Sequence, residues 1–219
     1  MTPEEILDEI AQQTRVCTRC PLHLSRKNAV PGEGNPHSRI MFIGEGPGFY
    51  ENEQGRPFVG AAGNFLDELL GDAGFKREEV FITNVVKCRP PGNRDPEPEE
   101  LNACKFYLER QISAINPDVI VTLGRVSMNY FIDKGKISLI HGRDFWSRGR
   151  MVVAMYHPAA ALHQPSLRNV VKEDFAKLPS LMKKAQAARQ TSTVSQDANL
   201  DLPGDDPAGN DQPEQLSLF

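Results

Sequence analysis

Four short apolar runs constrain the fold of this chain more than any other feature: Ile40 to Ile43, Val80 to Val85, Val119 to Leu123 and Met151 to Met155. Each is a near-continuous block rich in Val and Ile, as strands covered on both faces tend to be. Helical patterns separate them. Ala61 to Ala73 carries Phe65, Leu66, Leu69 and Leu70 on one face. Pro98 to Ile115 opens on an acidic turn and continues with apolar residues at helical spacing. Gly124 to Ile132 reads as a shorter helix, and Leu167 to Arg189 as a closing helix interrupted near Pro179. Strands alternating with helices imply an α/β domain with a mainly parallel sheet.

The 219 residues suffice for one domain with a sizeable core. Residues 1–189 form the expected domain. From Gln190 the character changes: the stretch to Glu214 is rich in Asp, Pro, Gln, Gly and Ser and nearly free of large apolar side chains. Such a segment cannot offset its ordering entropy by burial, so 190–214 reads as a disordered acidic linker. The net charge of −4 is misleading in this light. Gln190 to Phe219 holds no Lys or Arg and six of the acidic residues, which leaves 25 basic against 23 acidic side chains in the body. That balance is compatible with a nucleic-acid partner. No apolar run reaches the length of a membrane span, and the acidic start from Met1 to Glu9 lacks the features of a signal peptide, so a cytoplasmic protein is expected.

In an open parallel sheet, ligands bind beyond the carboxyl ends of the strands. Three polar candidates fall there: Glu45 within Gly44-Glu45-Gly46-Pro47-Gly48, Asn84 at the end of the second run, and His157 just after the fourth. Taken singly, each has a plain structural reading as a tight turn, a satisfied amide or a packed imidazole. Their convergence on one sheet edge favours a site. The turn lacks the Lys-Ser/Thr ending of a phosphate loop and the full Gly-x-Gly-x-x-Gly spacing, which speaks against a nucleotide-binding enzyme.

Four cysteines complete the pattern. Cys17 and Cys20 are two residues apart, Cys88 follows the second strand, and Cys104 lies on the next helix. A cytosolic chain is not expected to pair them as disulfides. Four thiolates can close a zinc site or hold a four-iron cluster, and spacing alone does not choose between them.

These residues together resemble the family 4 uracil-DNA glycosylases, the thermostable type with a 4Fe–4S cluster. The motifs are Gly44-Glu45-Gly46-Pro47-Gly48, Gly55-Arg56-Pro57-Phe58-Val59-Gly60, Thr83-Asn84-Val85-Val86-Lys87-Cys88-Arg89-Pro90-Pro91 and His157-Pro158, with the four cysteines where the family places its cluster ligands. The resemblance runs from about Ile6 to Leu181. It implies a three-layer αβα sandwich around a central, mainly parallel four-stranded sheet. It also implies an enzyme that flips deoxyuridine out of DNA and hydrolyses its N-glycosidic bond to start base excision repair. His157 would face O2 of the base, assisted by backbone amides around Gly44 to Gly46. Asn84 would read the O4 and N3 edge, Phe58 would stack on the ring, and Glu45 would stand near the sugar. Glu51 would crowd C5 against thymine's methyl. Leu162, in the segment Ala161-Leu162-His163, would be the wedge pressed into the duplex. Cys17, Cys20, Cys88 and Cys104 would hold a structural 4Fe–4S cluster. Arg56, Lys87, Arg89, Arg94 and Arg168 would contact phosphates. A related branch attaches itself to the abasic product through a His in the loop after the second strand and carries Gln at the position of Gly46. Here Arg89 to Pro96 contains no His, so turnover with release by a monomer is expected. His141 reads as structural or surface. Other readings of the scaffold are hypoxanthine removal and a metal-stabilised DNA-binding module without catalysis.

The last five residues, Gln215-Leu216-Ser217-Leu218-Phe219, resemble the pentapeptide by which bacterial repair and replication proteins dock on the β sliding clamp. Two apolar anchors, Leu218 and Phe219, at the end of a polar linker fit a peptide-in-pocket mode.

Overall fold

The computed structural model of the chain describes residues 1–133 and 135–197. The expected clamp peptide and most of the expected linker lie outside the described residues. The strands are β1 (Glu33–Gly34), β2 (Ile40–Gly44), β3 (Phe81–Asn84), β4 (Val119–Leu123), β5 (Asp144–Ser147) and β6 (Arg150–Met155). The α-helices are α1 (Pro3–Arg15), α2 (Phe49–Gln54), α3 (Ala61–Asp72), α4 (Pro98–Ile115), α5 (Arg125–Phe131), α6 (Ile137–Ile140), α7 (Pro158–His163), α8 (Leu167–Ala176) and α9 (Leu178–Asp197).

The strand order is β1-β3-β2-β4-β6-β5. The four central strands are mutually parallel, as the four apolar runs require. Two short antiparallel strands flank them, so among the described residues the sheet has six strands rather than the four expected. Neither edge has a buried apolar run to betray it. β1 spans two residues, and β5 carries Asp144 and the exposed Trp146. Short, polar edges of this kind also discourage pairing with other chains.

Alternation along the strands sorts the core into two faces. Ile40 and Phe42 of β2 face one way and pack with Phe65, Leu66 and Leu69 of α3, Phe175 of α8 and Met182 of α9. Met41 and Ile43 face the other and meet Leu108, Ile112 and Ile115 of α4. Helices therefore cover both faces, giving the three layers. A third cluster joins α1 to α4 through Ile10, Leu22, Val86 and Tyr107, with Cys88 and Cys104 inside it.

Local chemistry fixes the helix ends. Thr2 and Glu5 form a reciprocal capping box on α1. At the start of α4 the buried Glu100 accepts from the Glu97 amide at 2.7 Å and is held by both terminal nitrogens of Arg94. The closing helical segment breaks ahead of Pro179 as expected, between Ala176 and Leu178. α9 then continues to Asp197, so the first residues of the expected linker are helical.

Candidate active site

β2 and β3 run parallel and end in register, with Gly44 opposite Asn84. The Val85 amide donates to the Gly44 carbonyl at 3.0 Å and the Val86 amide to that of Glu45 at 3.1 Å, extending the pairing past the strand ends. β6 ends at Met155, and His157 caps α7 two residues later. Glu45, Asn84 and His157 thereby come to one sheet edge, where they line a single cleft of about 390 Å³ with Phe58 and Glu51.

Two glycines let the cleft close up. A Cβ on Gly44 would stand 2.4 Å from Asn84 Oδ1 and 2.6 Å from Phe58 Cζ, so only glycine allows the amide and the ring to approach the turn. A Cβ on Gly63 would strike the Phe58 carbonyl oxygen at 2.0 Å. Phe58 itself adopts φ 50°, a left-handed conformation that costs a non-glycine residue about 1–3 kcal/mol. That strain sets its ring against His157, with centroids 5.4 Å apart and planes 26° from parallel.

One polar atom of the cleft is left unsatisfied. Asn84 is buried, and its Oδ1 has no hydrogen-bond partner among the described residues. The Ala159 amide donates to His157 Nδ1 at 3.1 Å, which leaves the proton of a neutral ring on Nε2. Burial lowers the His157 pKa to about 4, so the ring is neutral at neutral pH although part of it stays open to the cleft. Glu45 moves the other way. Burial, and next the charge of Asp95, raise it to about 7. Asp95 in turn pairs with Arg125. Glu51 Oε1 accepts from the amides of Val59 at 3.0 Å and Gly60 at 3.3 Å, which pins its carboxylate on the cleft wall.

The four cysteines line a second, small cavity behind β3. All are unpaired; Cys88 and Cys104 are buried, Cys17 and Cys20 half-buried. Arg26 Nη1 donates to Cys88 Sγ at 3.3 Å, and the Lys87 amide donates to Cys104 Sγ at 3.3 Å. Donors aimed at sulfur suit anionic ligands. As a free thiol Cys104 is pushed up to about 12 by burial, so its thiolate needs a cationic centre to form. Among the described residues no three His, Cys, Asp or Glu side chains close on a single-ion site.

A model of the uracil DNA glycosylase superfamily matches residues 31–179. The chain belongs to the uracil DNA glycosylase superfamily. A type-4 uracil-DNA glycosylase of Thermotoga maritima is 49% identical over 188 residues, which cover 84% of this chain and 98% of the relative. One from Archaeoglobus fulgidus is 46% identical over 191 residues, covering 83% and 96%. A type-5 uracil-DNA glycosylase of Thermus thermophilus is more distant, at 35% over 150 residues, covering 58% and 68%. The type-4 resemblance carried by the sequence motifs therefore stands.

Placed on the structure, this family member's expected site residues divide unevenly. Glu45, Gly46, Glu51, Phe58, Asn84 and His157 line the cleft, and Gly44 packs beneath it. Leu162 is 40% exposed on α7, next to the cleft residue His163, but Ala161 is buried in the core and cannot reach a duplex. The segment is a short helix. Among the cations, the Lys87 expectation needs correction. Lys87 is wholly buried, and its Nζ donates to Thr83 Oγ1, the Asn84 carbonyl and Gln111 Oε1 at 2.6, 2.8 and 2.6 Å, so it contacts no phosphate. Arg56 pairs with Glu33, Arg94 with Glu100, and Arg168 with Glu68. Of the five, Arg89 alone is accessible without a carboxylate partner among the described residues; it donates to Asn93 Oδ1 at 2.8 Å. His141 is structural, as expected: its ring bonds the buried Asp174 at 2.6 Å and lies on Tyr156. Sequence reasoning placed His163 only in the wedge segment, whereas it lines the cleft, and assigned Asp95 no role. Asp95 sits in the segment scanned for a histidine, and only the fold shows that it faces Glu45.

Proposed function

We propose that this chain removes uracil from DNA, hydrolysing the N-glycosidic bond of a flipped-out deoxyuridine to release uracil and leave an abasic site. One observation carries the reading: a buried amide oxygen, Asn84 Oδ1, stands without a donor at the wall of a cleft beside an aromatic ring. An unmet acceptor selects a ligand that offers a donor. Uracil presents N3–H there, whereas cytosine presents a bare N3, so the site discriminates by leaving the wrong base unpaired.

The remaining groups take consistent roles. Phe58 stacks on the base. His157, neutral and carrying its proton on Nε2, donates to O2 as negative charge gathers on the departing uracil. Glu45, ionised above about pH 7, stabilises the oxocarbenium-like sugar and takes a proton from the attacking water. Glu51, fixed by two backbone amides, stands where a C5 methyl would press, and Leu162 fills the gap left by the flipped nucleotide. With no histidine from Arg89 to Pro96, the product is released and the enzyme turns over.

Cys17, Cys20, Cys88 and Cys104 are proposed to hold a 4Fe–4S cluster. The four sulfurs share one cavity, and N–H donors reach Cys88 and Cys104, as suits thiolates holding a cluster. Its contribution would be structural, tying α1 to the segment between β3 and α4. Gln215 to Phe219 are proposed to dock on the β sliding clamp; their removal should abolish clamp binding.

The deciding experiment is alkali-revealed strand cleavage at a single uracil in a labelled oligonucleotide, with thymine and hypoxanthine in parallel. Cleavage at uracil supports the proposal. Cleavage at hypoxanthine alone, whose N1–H could also meet Asn84, would replace it with the other base-excising reading.

A further inference from the structure

The mouth of the cleft carries two exposed aromatic residues that the base-excision reading leaves unused. Phe49 is 51% exposed and Tyr50 59% exposed. Both follow Gly48 on α2, so they stand at the rim of the wall that holds Glu51. The guanidinium of Arg89 lies over the Phe49 ring, 5.3 Å from its centroid. Arg89 precedes Pro90, which lines the cleft, and is oriented by Asn93, which lines it too. Tyr50 meets Phe49 edge-on at 5.4 Å and packs against Gly60, where a Cβ would come within 3.2 Å of Tyr50 Cδ2.

We infer that Phe49, supported by Tyr50 and Arg89, forms a stacking platform for an unpaired nucleobase flanking the flipped uracil, and that it favours single-stranded substrate. The inference rests on the proposed reaction and adds a second base site to it. Its chemistry is that of single-strand binding, in which an aromatic face takes a base of any identity and a cation without a carboxylate partner meets the backbone. In a duplex the flanking base is already stacked and paired, so the ring gains little from it. In a single strand the base turns onto the ring at small cost. The aromatic faces are held by their neighbours before any DNA arrives, which spares ordering entropy on binding.

The test compares the full-length protein with Phe49→Ala, Phe49→Leu and Phe49→Trp on a single uracil in one oligonucleotide, unpaired and annealed. Because Phe49 is exposed, unchanged melting temperatures are expected to confirm that the variants fold. Phe49→Ala should lower the ratio of kcat/KM on single strand over duplex by about tenfold, through KM, within the range seen when a base-stacking aromatic is truncated. Phe49→Leu should do the same, since it keeps apolar bulk without a π-face, and Phe49→Trp should restore the ratio. An unchanged ratio, equal losses on both substrates, or a leucine variant indistinguishable from wild type would each overturn the platform. Fluorescence anisotropy with a single strand lacking uracil measures the same stacking without turnover. If wild-type protein cut neither substrate, the proposed reaction would fail, while the anisotropy series would still decide the platform.

Discussion

The base cleft and the cysteine cavity lie on either side of five residues, Asn84 to Cys88, yet they treat polar groups in opposite ways. On the cleft side, Asn84 Oδ1 is buried without a partner and Phe58 is held in a left-handed conformation. Each feature costs the fold about 1–3 kcal/mol. On the cavity side, donors from Arg26 and Lys87 reach the sulfurs, and Lys87 spends its ammonium hydrogens on three oxygens, one of them the Asn84 carbonyl. On the side of the proposed base site, the Asn84 amide oxygen is left open. Where the protein holds itself together, hydrogen-bonding capacity is filled. Mutations on the two sides should therefore fail differently.

Replacing Asn84 tests the open side most directly. Asn84→Ala should lower kcat/KM on uracil by about 10²–10³, the size expected when one oriented hydrogen-bonding group is lost from such a site. Its melting temperature should stay level or rise, because a buried orphan oxygen has gone. A variant that lost stability in proportion to activity would erase the distinction between the two regions.

The filled side should show the reverse. Cys104→Ser should bleach the visible absorbance of the proposed cluster and lower the melting temperature by about 10 °C, as a loss of several kcal/mol implies for a domain of this size. Activity measured well below the new midpoint should be reduced far less than in Asn84→Ala. A coloured, fully stable Cys104→Ser variant would remove Cys104 from the ligand set.

Lys87 spans the two regions and sharpens the boundary between them. Burial draws its amine down to about 7, while Cys104 and Cys88 pull the other way. Lys87→Met keeps the apolar stem but strips the Asn84 carbonyl of its lysine donor and leaves Gln111 Oε1 only the Thr83 hydroxyl at 3.3 Å, at about 1–3 kcal/mol for an unmet acceptor. We expect a drop of several degrees in melting temperature and a rise of about threefold in the inhibition constant of free uracil, as the Asn84 backbone loosens. An unaltered uracil constant would show that the lysine serves the cavity alone.

How far the sequence disclosed these regions follows from how each is built. The four central strands were legible because both of their faces are covered, which leaves unbroken Val and Ile runs; β1 and β5 were not, because edge strands carry no such run. Glu45, Asn84 and His157 could be placed at one edge from strand order alone. The error over Lys87 has a plain cause. Its position after a strand and before a cysteine is that of a surface cation, and only the fold brings Thr83, Asn84 and Gln111 round its ammonium. Asp95 escaped notice for the same reason: nothing local to it announces Glu45, fifty residues upstream.

That pairing supports the smallest effect expected on the open side. Glu45 is raised to about 7 by burial first and by Asp95 second, with Arg125 opposing. Since the proposed role requires the carboxylate, kcat should climb about tenfold per pH unit below 7 and level off above it. Glu45→Gln should abolish this limb along with most of the activity. Asp95→Asn removes the like charge and frees Arg125 to act on Glu45, so both changes favour the ionised form and the limb should move to lower pH. The plateau should fall little, because burial, the larger cause, is untouched. His157 does not confuse the readout, as its ring loses its proton near pH 4, far below the limb. If the limb stayed in place in Asp95→Asn, desolvation alone would set the acidity of Glu45, and the link from the cleft to Asp95 and Arg125 would have no part in the reaction.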